Sequence, residues 1–176
     1  NIRMSTALAK QLRPALMAQP YIADVTIGPE FPANTDLPLD RFRDLPIDYH
    51  CHLIQGWYQM CSDIWLNLFE PWIAAKKLPE FKDMIVVSRT ARLRSDHIDY
   101  KFLSRYADNL LFLGLPEECE RFKRETGIAC SFLTVDSLDR MIDIINSCRL
   151  FVGNQGFGYT VAESVKCPRV LESNAI

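Results

Sequence analysis

The sequence predicts an α/β protein built on a parallel sheet with helices on both faces. From residue 84 onward, five short apolar runs alternate with four segments of helical periodicity. The runs are almost continuously apolar, as strands are when both of their faces are covered. The composition, with 48% hydrophobic and 24% charged residues among 176, is that of an ordinary globular protein. Strands and helices that alternate in this way form βαβ units and therefore a parallel sheet.

The N-terminal part of the chain is less regular. The spacing of apolar residues predicts a helix over 2–17, weakened or kinked at Pro14. An alternating pattern predicts a strand over 21–27, and a proline-marked loop follows between residues 28 and 48. Aromatic and aliphatic residues three and four apart predict a helical segment over 50–68.

A polar joint with prolines then leads to the regular part of the chain, and such joints are typical of domain boundaries. We therefore expect a partial α/β N-terminal domain at 1–78 and a second domain at 79–176. Because the chain starts at Asn1 inside an expected helix, we expect it to be a piece of a longer protein.

The second domain supplies the predicted sheet. Gly127 is expected to end its second helix, and Asp136 or Ser137 to cap its third. The predicted strands are 84–88, 109–114, 129–133, 150–152 and 169–171, and the predicted helices are 100–106, 117–126, one starting at 138 and one carrying Glu163.

Charge and cysteine usage exclude several classes of function. A net charge of −2 argues against broad binding of nucleic acid, which usually needs a basic surface. No apolar run approaches the roughly 20 residues that span a bilayer. The six cysteines form no C-x-x-C pair, which favours buried, reduced thiols and a cytoplasmic protein. His50 and His52 share a face but have no third ligand at a recognisable spacing, so we expect no metal site.

A glycine-rich turn between the fourth strand and the following helix is the main functional signal. Gly153, Gly156 and Gly158 lie where the strand reverses into the helix. A helix that begins there directs free N–H groups at the turn, and a phosphate is their natural ligand. The alternative is that the glycines only let the chain turn and pack.

An arginine-rich loop is expected beside this turn. Right-handed crossovers place the carboxyl ends of all the strands at one edge, and ligands bind there where the strand order switches. The loops after the first and fourth strands should therefore be neighbours. Arg89, Arg92 and Arg94 in the first of these loops are suited to a diphosphate. The alternative is a solvated loop in which they pair with Asp96 and Asp99.

Glu163 lies seven residues, or about two helical turns, beyond Gly156. A carboxylate at that distance suits the ribose hydroxyls of a nucleotide whose phosphates rest on the helix start. The alternative is an ordinary exposed glutamate on a helix.

The same residues resemble the C-terminal half of the GT-B-fold glycosyltransferases, and in particular the heptosyltransferase-like group known as glycosyltransferase family 9. The resemblance covers roughly residues 80–172. The segments that carry it are Ile85–Thr90, Leu111–Pro116, Leu150–Gln155, Val161–Glu163 and Pro168–Glu172.

The resemblance implies a Rossmann-like domain that holds a nucleotide-sugar donor, beside an N-terminal domain that holds the hydroxyl acceptor. It also implies an inverting, metal-independent transfer without a cofactor. The catalytic base stays unassigned. The donor site implied by position comprises Arg89, Thr90 and Arg92 at the diphosphate, Gly114 and Leu115 near the base, Asn154, Gln155, Gly156 and Phe157 around the phosphate, and Glu163 at the ribose.

Two alternatives to a glycosyltransferase stay open. One is a non-catalytic nucleotide-binding or interaction module from a truncated chain. The other is a sugar-nucleotide epimerase of the same architecture, which would use the same phosphate site but need no acceptor site.

Overall fold

The computed structural model describes residues 5–28, 67 and 69–173, and it contains the predicted sheet. The strands are Ile85–Ser88 (β1), Leu110–Leu113 (β2), Ser131–Leu133 (β3), Leu150–Asn154 (β4) and Arg169–Glu172 (β5). The α-helices are Thr6–Met17 (α1), Pro116–Thr126 (α2), Leu138–Ser147 (α3) and Phe157–Ser164 (α4), and 3₁₀ helices span Pro79–Phe81 and Tyr100–Asn109.

All neighbouring strands of the sheet run parallel, in the order β3-β2-β1-β4-β5. Val86 on the central strand β1 lies between Leu111 of β2 and Phe151 of β4. Strands β2 and β3 therefore lie on one side of β1, and strands β4 and β5, which come later in the chain, lie on the other side. This confirms the predicted α/β fold with a Rossmann-like parallel sheet.

Each face of the sheet has its own apolar core, because successive side chains of a strand point to opposite faces. On one face Val86 and Phe151 belong to a cluster that includes residues of α1, α3 and α4. On the other face Val87 and Phe112 belong to a cluster that includes residues of α2 and of the 3₁₀ helix Tyr100–Asn109. Helices on both faces, as predicted, explain why the central strands β1 and β2 are buried along their whole length.

The helix ends agree with the sequence signals. The hydroxyl of Ser137 accepts a hydrogen bond of 3.2 Å from the backbone N–H of Arg140 and so caps α3. Gly127 ends α2 in the left-handed conformation, with φ at 69°. Both predictions are confirmed. Helix α1 runs through Pro14 and is capped at its start by Ser5.

Two predictions about local structure need correction. Residues 21–27 form no strand. A strand needs a neighbour for its backbone hydrogen bonds, and no strand pairs with this stretch in the described part of the chain. The helix predicted at 100–106 is a 3₁₀ helix that continues to Asn109, with a kink at Tyr106.

The chain divides into two compact units, one of Asn1–Val25 with Pro71–Ile176 and one of Thr26–Glu70. In the second unit only residues 26–28, 67, 69 and 70 are described. The predicted loop after residue 28, the aromatic helix over 50–68 and the pair His50 and His52 thus lie largely or wholly outside the described residues. The predicted domains 1–78 and 79–176 stay a prediction.

Candidate functional site

The loops after β1 and β4 meet at the carboxyl edge of the sheet, as the order of the strands requires. The side-chain amide of Asn154, at the end of β4, spans the gap between them. Its Oδ1 accepts from the backbone N–H of Thr90 at 3.0 Å. Its Nδ2 donates to the carbonyl oxygens of Thr90 at 3.0 Å and of Arg92 at 2.7 Å. The prediction that these loops are neighbours is confirmed.

The side-chain amide of Asn154 therefore forms hydrogen bonds to the protein backbone rather than to solvent. The residue is only 2% exposed, and both ends of its amide are occupied by the loop after β1. The Thr90 hydroxyl adds a bond of 3.1 Å to the carbonyl of Arg92. The structure thus places Asn154 beneath the predicted phosphate site, where it holds the 90–92 loop in position.

The three glycines of the turn have different surroundings. A Cβ on Gly153 would lie 2.3 Å from the carbonyl oxygen of Ser88, and one on Gly158 would lie 3.0 Å from the ring of Phe151. These two glycines permit close packing. Gly156 is different, because the nearest atom to its Cβ would be the methyl group of Thr90 at 3.8 Å. At Gly156 an added Cβ would therefore meet only ordinary van der Waals contacts.

Helix α4 begins directly after Gly156. Gly156 is its N-cap, and no side chain caps the helix. The first-turn N–H groups, which cannot bond within a helix, face the turn with about half a positive charge. Gln155 and Phe157 flank the turn and are exposed. The helix start offers donors and a favourable potential to an anion.

Arg89 is directed inward instead. Its Nε and Nη2 donate to the two carboxylate oxygens of Glu172 at 2.8 and 3.0 Å. Its Nη1 donates to Glu125 at 2.7 Å, and Nη2 also donates to the carbonyl of Ser95 at 2.9 Å. Each guanidinium nitrogen thus has a partner. A role for Arg89 at a diphosphate stays a prediction.

Glu172 is the centre of this buried network. Besides Arg89, the hydroxyl of Tyr100 and the backbone N–H of Ser95 donate to it, each at 2.5 Å. Burial alone would raise the pKa of Glu172, but hydrogen bonds from Arg89, Tyr100 and Ser95 outweigh it and hold the pKa below its ordinary value. Burial and the bond to Glu172 raise the pKa of Tyr100. The network ties the loop after β1 to the end of β5.

The other two arginines of the loop differ from each other. Arg94 is half-buried and pairs with Glu125 at 2.8 Å and with Asp96 at 3.1 Å. The pair with Asp96 is the alternative to a phosphate contact that the sequence offered for this arginine. Arg92 is exposed and forms no ion pair with any residue that the structure describes. Of the three predicted phosphate ligands, Arg92 alone has an uncommitted guanidinium.

Gly114 and Leu115 follow β2 and so lie at the same edge of the sheet, one strand beyond β1. Leu115 is 54% exposed, and its backbone N–H donates to the carboxylate of Glu118 at 3.1 Å. A Cβ on Gly114 would lie 2.9 Å from that same carboxylate. Within the described residues, no hydrogen bond joins Gly114 or Leu115 to Asn154 or to the 90–92 loop that Asn154 holds.

Glu163 lies in the last turn of α4, about 10 Å along the helix axis from Gly156. Its carboxylate pairs with the ammonium of Lys166 at 2.5 Å and with the guanidinium of Arg169. Lys166 also lies over the ring of Trp72, 4.3 Å from its centroid. The structure gives Glu163 partners at the far end of the helix, and its predicted contact with a ribose stays a prediction.

The described residues contain no group of three or more His, Cys, Asp or Glu side chains that could hold a metal ion. None of the helices in that part of the chain is long and apolar enough to cross a membrane. No protein-family model, curated protein or solved structure matches the sequence. The site itself must therefore carry any functional argument.

Proposed function

We propose that this chain is the donor-binding part of a nucleotide-sugar-dependent glycosyltransferase, and that the donor diphosphate rests on the start of α4. The observation that carries the proposal is the helix start at Gly156, which no side chain caps, next to the switch in strand order between β1 and β4. Ligands of open parallel sheets bind at such switch points.

Three groups would hold the phosphates. The first-turn N–H groups of α4 would donate to one phosphate. Arg92 and Gln155, both exposed, would supply the side-chain donors. A helix start alone contributes only about 0.3–1 kcal/mol when exposed, so a charged partner such as Arg92 is needed for tight binding.

The chemistry follows from this placement. An acceptor hydroxyl attacks the anomeric carbon of the sugar, the bond to the diphosphate breaks, and a carboxylate base takes the hydroxyl proton. The helix start and Arg92 stabilise the charge that develops on the departing diphosphate. The resemblance implies a transfer that needs no metal, in which protein groups supply this positive charge. The base is not assigned to any residue.

Titration calorimetry and thermal shift with UDP-, GDP-, ADP- and CMP-sugars test the proposal. One donor should stabilise the wild type by about 2.7 kcal/mol at a hundred times its dissociation constant. Gly156→Val should keep the fold, because its Cβ would meet only ordinary van der Waals contacts and its φ of −178° suits any residue, yet its side chain would cover the helix start. We expect it to abolish the shift.

Arg92→Ala should weaken binding about ten-fold, as expected for one charge-assisted hydrogen bond. Arg124→Ala is the matched control, because Arg124 is an exposed arginine of α2 that forms no ion pair with any described residue. If no nucleotide-sugar binds, or if Gly156→Val binds like the wild type, the proposal is wrong.

The reaction products separate the remaining alternatives. Sugar transfer to an added hydroxyl acceptor supports the glycosyltransferase. Conversion of the donor to its epimer without an acceptor supports the epimerase. Binding without any turnover supports a non-catalytic nucleotide-binding module, which would use the same helix start.

A further inference from the structure

Two buried thiols face each other at the edge of the sheet opposite the candidate site. The sulfur atoms of Cys148 and Cys167 are 3.5 Å apart. The residues are 7% and 4% exposed. Neither belongs to the phosphate site, and no step of the proposed function uses them.

The fold brings these residues together by two local features. Cys148 and Cys167 lie just before the neighbouring parallel strands β4 and β5, which are joined there by a bond of 2.9 Å from the N–H of Phe151 to the carbonyl of Pro168. Lys166 takes the left-handed conformation with φ at 57°, and the chain then turns so that the N–H of Cys167 donates to the carbonyl of Ala162 at 2.9 Å. This turn at the end of α4 fixes Cys167.

We propose that Cys148 and Cys167 are a modification site, a dithiol that hydrogen peroxide converts into an intramolecular disulfide. The sulfur atoms need to approach by only about 1.5 Å to reach bonding distance, which is about 2.0 Å. The disulfide would join the end of α3 to the segment that links α4 to β5. This inference is independent of the proposed function.

The two thiols have different roles in the reaction. The hydrogen bond with Cys148 lowers the pKa of Cys167, and the positive charge of Lys77 adds to the effect. The same hydrogen bond, together with burial, raises the pKa of Cys148. Cys167 is therefore the more acidic of the two thiols and attacks first, because thiolates are the nucleophiles in this chemistry.

The sulfur of Cys167 attacks one peroxide oxygen, the O–O bond breaks, and a sulfenic acid and water form. Cys148 then attacks the sulfenic sulfur, which releases a second water as the S–S bond forms. Two thiols are oxidised and one peroxide is reduced. A reducing compartment, which the cysteine usage predicts, would return the disulfide to thiols by exchange.

A second pair of described cysteines provides an internal comparison. Cys130 also interacts with a neighbouring thiol, that of Cys119, but burial and Cys119 together raise the pKa of Cys130 to about 11. A thiol with so high a pKa is rarely a thiolate near neutral pH. Because the 3.5 Å contact joins Cys148 to Cys167, the thiol whose pKa is lowered, we expect oxidation to link this pair.

Peptide mapping tests this selection. The folded protein is treated with stoichiometric hydrogen peroxide, alkylated and digested with trypsin. Cys148 then lies in the peptide 141–149 and Cys167 in 167–169, whereas Cys119 and Cys130 lie in 106–121 and 125–140. We expect the first two peptides to be linked, with the loss of two hydrogens, about 2 Da. Dithiothreitol should reverse the link.

Variants, oxidation in urea and thermal unfolding show whether the proximity of Cys148 and Cys167 in the fold causes their selective linkage. Cys148→Ser and Cys167→Ser should each abolish the link, and Cys119→Ser should leave it unchanged. Oxidation in urea should give mixed pairings. Thermal unfolding should show a higher Tm for the oxidised wild type than for the reduced protein, with no such shift in either of the first two variants. If another pair is linked in the folded protein, or if Cys148 and Cys167 are still alkylated as free thiols after unfolding, the proposal is refuted.

Discussion

Replacing Glu172 with Gln should strongly destabilise the protein. The substitution keeps the shape of the side chain but removes its charge. Arg89 would lose its bidentate partner while staying buried, because the two side chains are only 7% and 1% exposed. Breaking a buried ion pair by changing one partner typically costs about 3–5 kcal/mol. Gln can still accept one hydrogen bond, so we expect a loss at the lower end of this range, about 3 kcal/mol.

Urea unfolding at pH 7, followed by circular dichroism, measures the change in the free energy of unfolding. Glu120→Gln is the matched control, since Glu120 is 69% exposed and pairs only with Lys123 among the described residues. That change should have very little effect. If the two variants lose equal stability, Glu172 does not hold the loop after β1 as the structure indicates.

The pH dependence gives a second test of the same residue. Because the pKa of Glu172 is lower in the folded protein than its ordinary value, its charge stabilises the fold above that ordinary value. This contribution is lost as the pH falls through the range between the ordinary and the folded pKa. Wild-type stability should therefore decrease on acidification below about pH 4.5, and the Glu172→Gln protein should lack that part of the decrease.

Three further predictions concern backbone and loop positions, each measured by urea unfolding. Gly153→Ala should cost at least about 2 kcal/mol, because its Cβ would lie 2.3 Å from the carbonyl oxygen of Ser88. Gly127→Ala should cost only about 1 kcal/mol, because its φ of 69° is strained for alanine although the surroundings are open. Asn154→Ala should cost about 2 kcal/mol and speed amide hydrogen exchange at Thr90, since it leaves buried backbone groups unpaired. Equal costs for the two glycine variants would contradict the packing explanation.

The sheet was predictable because its signal is local. A strand covered on both faces is almost entirely apolar, and runs such as β1 and β2 can be recognised without knowledge of their neighbours. The caps at Ser137 and Gly127 are equally local. Residues 21–27 misled the prediction for the complementary reason. Their alternating pattern is local, but a strand also needs a partner, which no pattern within the segment can supply.

For most of the candidate site, the sequence could predict which loops lie together but not which side chains pair with each other. The order of the strands places the loops after β1 and β4 together, and that inference was confirmed. The partner of Arg89 could not be inferred, because Glu172 is 83 residues away and no spacing rule connects them. The pairing of Cys148 with Cys167 had a usable signal. Both precede strands of a parallel sheet, and neighbouring strands would bring them to one edge.

Two of the predicted phosphate-binding residues, Arg89 and Asn154, have side chains that could bind either a ligand or the protein itself. A guanidinium or an amide that can make several hydrogen bonds suits a phosphate, but it equally suits a loop whose backbone groups need partners. In this structure both side chains are turned inward, and together they fix the loop that carries Arg92. A loop held in this way loses little entropy when it binds a ligand, so its free groups can bind more tightly. Mutating Arg89 or Asn154 would thus weaken binding through the position of Arg92, and the two kinds of effect can be separated. Variants of Arg89 or Asn154 should have a lower free energy of unfolding even without ligand. Arg92→Ala should change the affinity for the ligand alone.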